Sequence, residues 1–126
     1  MEPKSSSEKE ATLYSWAFRT GMIMLRQLEQ IYGDNADKRL YTQLLTLRSE
    51  ELPARFRRQL ANMLIEMRPG EISFPPEVRE ERIWSIDEYY RYSTAILAGF
   101  YDAIRKWRED KEKEKQKESE GGAPSG

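Results

Sequence analysis

The chain has 126 residues, which bounds it to one domain with a modest core. It contains no cysteine and no histidine, so a disulfide framework, a thiol nucleophile, and the commonest general base and metal ligand are all excluded. A net charge of −1 excludes a polybasic, histone-like protein, and no apolar run approaches the ~18 residues of a membrane span.

The opening stretch, MEPKSSSEKEATLYSW, lacks the basic-then-apolar layout of a secretion signal, so a soluble, cytoplasmic protein is expected. Residues 1–7 read as a disordered N-terminus. Ser7 and Glu10 have the S-x-x-E spacing of a capping box, and a first helix is predicted over 8–32. Leu13, Ala17, Gly21, Met24, Leu28 and Ile31 form its apolar stripe, widened by Trp16 and Leu25. Gly33 stops it. GDNAD then serves as turn and N-cap for a short second helix carried by Leu40, Leu44 and Leu47, with Tyr41 and Leu45 beside them. SEELP ends that helix, because the residue before a proline avoids helical geometry.

A third helix is predicted from Pro53 to Met67, burying Phe56, Leu60, Met63, Leu64 and Met67. Pro69 and Gly70 terminate it. The stretch 69–84 is irregular, with adjacent prolines at 75 and 76. Glu77–Arg82 suits a short helical turn, and Ile72–Phe74 has strand-like composition without a partner strand. Ser85 and Glu88 repeat the capping-box spacing. The last helix then carries Ile86, Tyr90, Ser93, Leu97, Phe100, Ile104 and Trp107 at alternating steps of four and three, the pattern of a bundle seam. Beyond Trp107 the charges alternate in sign, as on a solvated helix.

These elements predict an all-α protein, a compact antiparallel four-helix bundle with a charged, partly disordered C-terminal tail. Residues 1–7 are the disordered N-terminus, 8–108 the bundle, and 109–126 the tail, disordered at 119–126.

Catalysis is not expected. The carboxylate pairs Glu50–Glu51, Glu80–Glu81 and Asp87–Glu88 are sequence neighbours, which point about 100° apart on a helix. Acids in a first turn are the ordinary complement of the helix dipole. No Gly-rich phosphate loop, G-x-S-x-G or His-bearing metal motif is present, so neither a cofactor nor a metal is expected.

The arginines are the unusual feature. Residues 11–68 hold nine Lys or Arg against six Asp or Glu, and residues 69–110 hold six against nine. Between residues 11 and 104 the only lysine is Lys38, against eleven arginines. Arg19 and Arg26 share a face away from the core stripe of the first helix, and Arg55 and Arg58 lie off the buried face of the third. Arg57 lies toward the opposite flank of that helix. Cations at a helix start are mildly unfavourable, and a bound phosphate would offset that cost. Arg55 and Arg58, with Arg19 or Arg26 on a neighbouring helix, are therefore expected to track a nucleic-acid backbone. The alternative is a solvated face with incidental pairs from Arg55 or Arg58 to Glu50, Glu51 or Glu66. Tyr89 and Tyr92 cannot both join the seam with Tyr90, and are expected at a protein interface or a base-stacking surface.

A small all-helical domain with an arginine face and no catalytic equipment resembles the small subunits of class 1 CRISPR effector complexes. That resemblance implies a non-catalytic subunit, present in several copies beside other effector subunits, that holds the guide–target duplex or displaced DNA strand. It carries over to Arg19, Arg26, Arg55, Arg57 and Arg58 as backbone contacts. The other expectation is a helical protein–protein adaptor with no nucleic-acid contact.

Overall fold

The computed structural model describes residues 6–67, 75–79 and 84–121. They are all-α, with no strand among them: α1 (Ser6–Tyr32), a single 3₁₀ turn (Gly33–Asn35), α2 (Ala36–Arg48), α3 (Pro53–Met67), α4 (Pro76–Arg79) and α5 (Ile86–Gly121). Ile72–Phe74, discounted as an isolated strand, lies outside the described residues, as do 1–5 and 122–126; of the segments expected to be disordered, 6–7 and 119–121 are helical.

Local signals set most boundaries. Gly33 adopts φ +60°, the left-handed conformation that ends a helix and that other residues reach only at a cost. The chain therefore turns within three residues into α2, making a tight hairpin. Ser49 closes α2, its N–H donating to the Leu45 carbonyl at 3.1 Å and its hydroxyl to the Thr46 carbonyl at 2.7 Å. Pro53 opens α3, where a missing N–H costs nothing. The capping box of α5 is complete: Glu88 N–H donates to Ser85 Oγ at 3.1 Å, and Ser85 N–H to Glu88 Oε1 at 3.0 Å.

The core forms between these helices. Leu13, Trp16, Ala17, Met24, Leu25 and Leu28 of α1 are buried, as are Leu40, Leu44 and Leu47 of α2 and Phe56, Leu60, Met63 and Leu64 of α3. Ile31 departs from the expected stripe and is 73% exposed. The stripe ends at Leu28 because α1 then enters the hairpin, leaving Ile31 on a shallow groove with Tyr32, Arg39, Gln43 and Glu66.

The expected antiparallel arrangement does not hold for the two longest helices. Gly99 sits against Ala17, Gly21 against Ala103, Trp107 and Lys111 against Glu29, and Lys115 near Asp34. Residue numbers rise together, so α1 and α5 are parallel. Against α2 they run oppositely: Arg108 meets Asp37, Tyr101 meets Tyr41, and Tyr89 meets Glu50. The cause lies in α3. Its start, at Phe56, packs on Trp84 and Tyr89 at the start of α5, with ring centroids 6.3 and 5.8 Å apart. Its end, at Glu66, reaches the start of α2. A helix of 15 residues is about 22 Å long, so the chain must return by that length between Met67 and Trp84. α3 and α5 therefore point the same way.

The parallel pair packs closely. Ala17-x-x-x-Gly21 on α1 faces Gly99-x-x-x-Ala103 on α5, and Gly21 and Gly99 are both buried. A Cβ on Gly99 would lie 2.7 Å from the Ala17 Cβ and 3.0 Å from the Phe18 nitrogen. Only a hydrogen at that position lets the backbones come so near.

The seam of α5 is corrected in its first half. Ser93, Phe100, Ile104 and Trp107 are buried as expected, but Ile86 and Tyr90 are 70% and 64% exposed. Tyr89, Tyr92, Ile96 and Ala103 are buried in their stead or beside them. Beyond Trp107 the charged stretch continues α5 to Gly121, as its alternating charges implied.

Candidate functional site

Arg19 and Arg26 are exposed on the face of α1 opposite its buried stripe. Arg19 is steadied by its own helix, its Nε donating to the Ser15 carbonyl at 3.4 Å. Arg55 and Arg58 are exposed on the opening turns of α3. With Glu50 and Gln59 they line a shallow cavity of about 280 Å³. Among the described residues none of these four arginines forms an ion pair, so the incidental pairs to Glu50, Glu51 or Glu66 are not made. The cations of α5 behave differently. Arg91 pairs with Asp87 at 3.2 Å, Arg105 with Asp102 at 3.1 Å, Lys106 with Asp110 at 3.0 Å and Arg108 with Asp37 at 2.6 Å.

The two arginine pairs lie on different helices. α1 packs chiefly on α5 and α2, and α3 on α2 and α5; α3 reaches α1 at Glu66, which shares a groove with Ile31 and Tyr32.

Arg57 is placed differently. It is half-buried, donating from its guanidinium to the Val78 carbonyl at 3.2 Å, with Cζ 5.3 Å from the Trp84 ring centroid. A planar cation suits both contacts at once. Arg57 ties α4 to α3 through its contact with Val78, which leaves less of its guanidinium for a phosphate than the other four arginines keep.

Tyr89 and Tyr92 are corrected. They are 8% and 2% exposed, so neither offers a docking surface. Tyr89 donates its hydroxyl to the Glu50 carbonyl and meets the Phe56 ring nearly edge-on, at 81°. Tyr92 meets Trp84 at 5.4 Å and 82°. Edge-to-face packing of this kind stabilises beyond area alone. Burial pushes the Tyr89 phenol above its usual range, with Tyr90 and the carboxylates of Glu50 and Glu51 adding to it.

The exposed apolar residues lie elsewhere. Tyr41, Leu45, Leu52, Ile86 and Tyr90 each keep two-fifths or more of their surface. Tyr41 rests on Tyr101 at 5.9 Å, which places part of this surface along the junction of α2 and α5. The available signal was the helical wheel of α2, where Tyr41 and Leu45 fall together off the Leu40–Leu44–Leu47 face.

On the far side, the Tyr14 hydroxyl of α1 donates to Asp102 of α5. That hydrogen bond, more than its partial burial, holds the Tyr14 phenol above its ordinary value. Among the described residues no three metal-ligating side chains converge, and no helix is long and apolar enough to cross a membrane. No protein-family model, curated protein or solved structure matches this chain.

Proposed function

We propose that this chain is a non-catalytic helical subunit that contacts a nucleic-acid backbone within a larger cytoplasmic ribonucleoprotein, as the class 1 CRISPR small subunits it resembles do. The observation that supports this is the split among its cations. Arg19, Arg26, Arg55 and Arg58 are exposed and without acidic partners among the described residues, while Arg91, Arg105, Lys106, Arg108, Lys111 and Lys115, six of the eight cations of α5, are paired. A free guanidinium keeps its fork of donors for phosphate. At the start of α3 it costs only about a few tenths of a kcal/mol, and the free N–H groups there favour the same anion. The net charge of −1 gives little non-specific attraction, so neighbouring subunits and further copies supply most of the affinity. The ligand in this reading is a guide–target duplex or a displaced DNA strand.

The test is binding of the full chain to labelled RNA and DNA oligonucleotides across a salt series. Arg19→Ala/Arg26→Ala and Arg55→Ala/Arg58→Ala should each weaken binding. Removing one phosphate-binding cation should lower the salt slope by about one, without changing sequence preference. Binding equal to wild type in both variants would overturn the proposal.

A second reading, a protein–protein adaptor, is favoured by the exposed side chains of Tyr41, Leu45, Leu52, Ile86 and Tyr90. Large apolar surface of this kind marks interaction sites more often than isolated exposed residues do. Unchanged nucleic-acid binding together with association abolished in Ile86→Ser/Tyr90→Ser would select it.

A further inference from the structure

Apolar packing along α5 ends at Trp107, yet the helix continues to Gly121. From 108 to 121 the sequence offers no hydrophobic side chain. Arg108, Lys111 and Lys115 are three and four residues apart and prolong the same side of the helix. Each reaches an acid near the tip of the α1–α2 hairpin. Arg108 donates to Asp37 at 2.6 Å, Lys111 meets Glu29, and Lys115 lies 3.9 Å from Asp34. Glu29 also accepts the indole N–H of Trp107 at 3.3 Å, where the apolar seam hands over to the charged one.

We propose that this part of α5 is an ionic latch: Arg108, Lys111 and Lys115 dock it reversibly on the acidic hairpin tip, and raised ionic strength releases it while the apolar core stays folded.

The contacts grade outward. Asp37 is the most enclosed, its side chain 11% exposed, and its Oδ1 has no hydrogen-bond partner, so Arg108 is what compensates its charge. The Lys111–Glu29 pair is intermediate, at 25% and 29%. The Lys115–Asp34 pair is open to solvent, at 67% and 74%. Exposed pairs are weak and are screened once the Debye length falls toward about 3 Å, near 1 M salt. Without docking, a charged helix of this length is marginal in water, so release frays it from the C-terminal end inward. Nothing similar loosens residues 89–107, which are held by packing that salt does not screen.

Amide hydrogen exchange on the full chain reads both halves of α5 at once. Going from 50 mM to 1 M sodium chloride should raise exchange at 108–117 by tenfold or more and leave 92–107 unchanged. Lys111→Glu should produce the same release at 50 mM salt, and Glu29→Lys in the same chain should restore protection by reversing the pair. Should Glu29→Lys unfold the protein, Lys115→Glu with Asp34→Lys gives the same reversal at a solvent-exposed site, read at residues 112–117. Exchange at 108–117 that ignores both salt and Lys111→Glu would overturn the latch. So would salt that loosens 92–107 to the same extent, since the effect would then be global.

Discussion

Gly99 occupies the tightest point between α1 and α5. Glycine inside a helix is ordinarily a loss of about 1 kcal/mol against alanine. Here the trade runs the other way, because a Cβ would strike the Ala17 Cβ at 2.7 Å and the Phe18 nitrogen at 3.0 Å, as well as the Tyr14 carbonyl. Backbone atoms of a packed helix cannot step aside singly. Gly99→Ala should therefore destabilise by about 2 kcal/mol despite its better helix propensity. Gly21→Ala meets the Ala103 Cβ at 2.8 Å and the Phe100 ring at 3.2 Å, with the nearest backbone atom, the Phe100 Cα, at 3.7 Å. Its cost should be smaller. Urea unfolding of the two variants checks the order, and equal stabilities would contradict the close helix approach. Gly21 was legible as a small residue on the α1 stripe, whereas Gly99 lay off the seam expected for α5. That they face one another was not legible, because the direction of α5 relative to α1 is a tertiary fact.

At the scale of the element, α5 shows where pattern reading succeeds and where it forks. Ser85 and Glu88 cap it as their spacing implies, since both partners lie within one turn and nothing distant competes. The buried stripe is different. Tyr89–Tyr90 and Ile96–Leu97 are apolar doublets, so two stripes about 100° apart fit the first half of the helix equally well. Phe56 and Trp84 decide between them by drawing Tyr89 and Tyr92 inward. Tyr92→Ala should accordingly cost about 3 kcal/mol, as for other buried aromatics. Tyr90→Ala, at a side chain 64% exposed, should stay within about 0.5 kcal/mol of wild type. Thermal or urea denaturation separates them, and a larger loss in Tyr90→Ala would restore the other stripe. The same choice of stripe removes Tyr89 and Tyr92 from the candidate surface and puts Tyr90 there.

At the scale of the whole molecule, two phenols link folding to alkaline pH. Tyr14 keeps its proton through its hydrogen bond to Asp102, and Tyr89 through burial; both sit above the ordinary value of 10.0. The folded chain therefore retains protons that the unfolded chain releases. Their stabilisation is fully present below pH ~10 and is lost as pH rises through the folded values. Melting temperature should stay level from pH 7 to 9 and fall above 10. Tyr14→Phe should flatten part of that fall, and an unchanged slope would mean that Tyr14 carries none of the linkage. The meeting of the starts of α3 and α5 also acts at this scale, since it leaves α5 parallel to α1 and antiparallel to α2.

Legible in the sequence were the helices, the turn at Gly33, the capping box of α5, most of the buried set and the outward placement of Arg19, Arg26, Arg55 and Arg58; the expected cap of α2 was not met, since Asn35 makes no side-chain cap hydrogen bond. Each legible feature depends on residues within a turn or two of one another, where spacing translates directly into geometry. Tertiary structure decided the direction of α5 and the burial of Tyr89 and Tyr92. It also recruited Arg57 to Val78 and Trp84 and set Arg108, Lys111 and Lys115 on the hairpin tip. These depend on which surfaces meet after the chain has crossed the length of α3, and helical periodicity carries a face but not the partner that covers it.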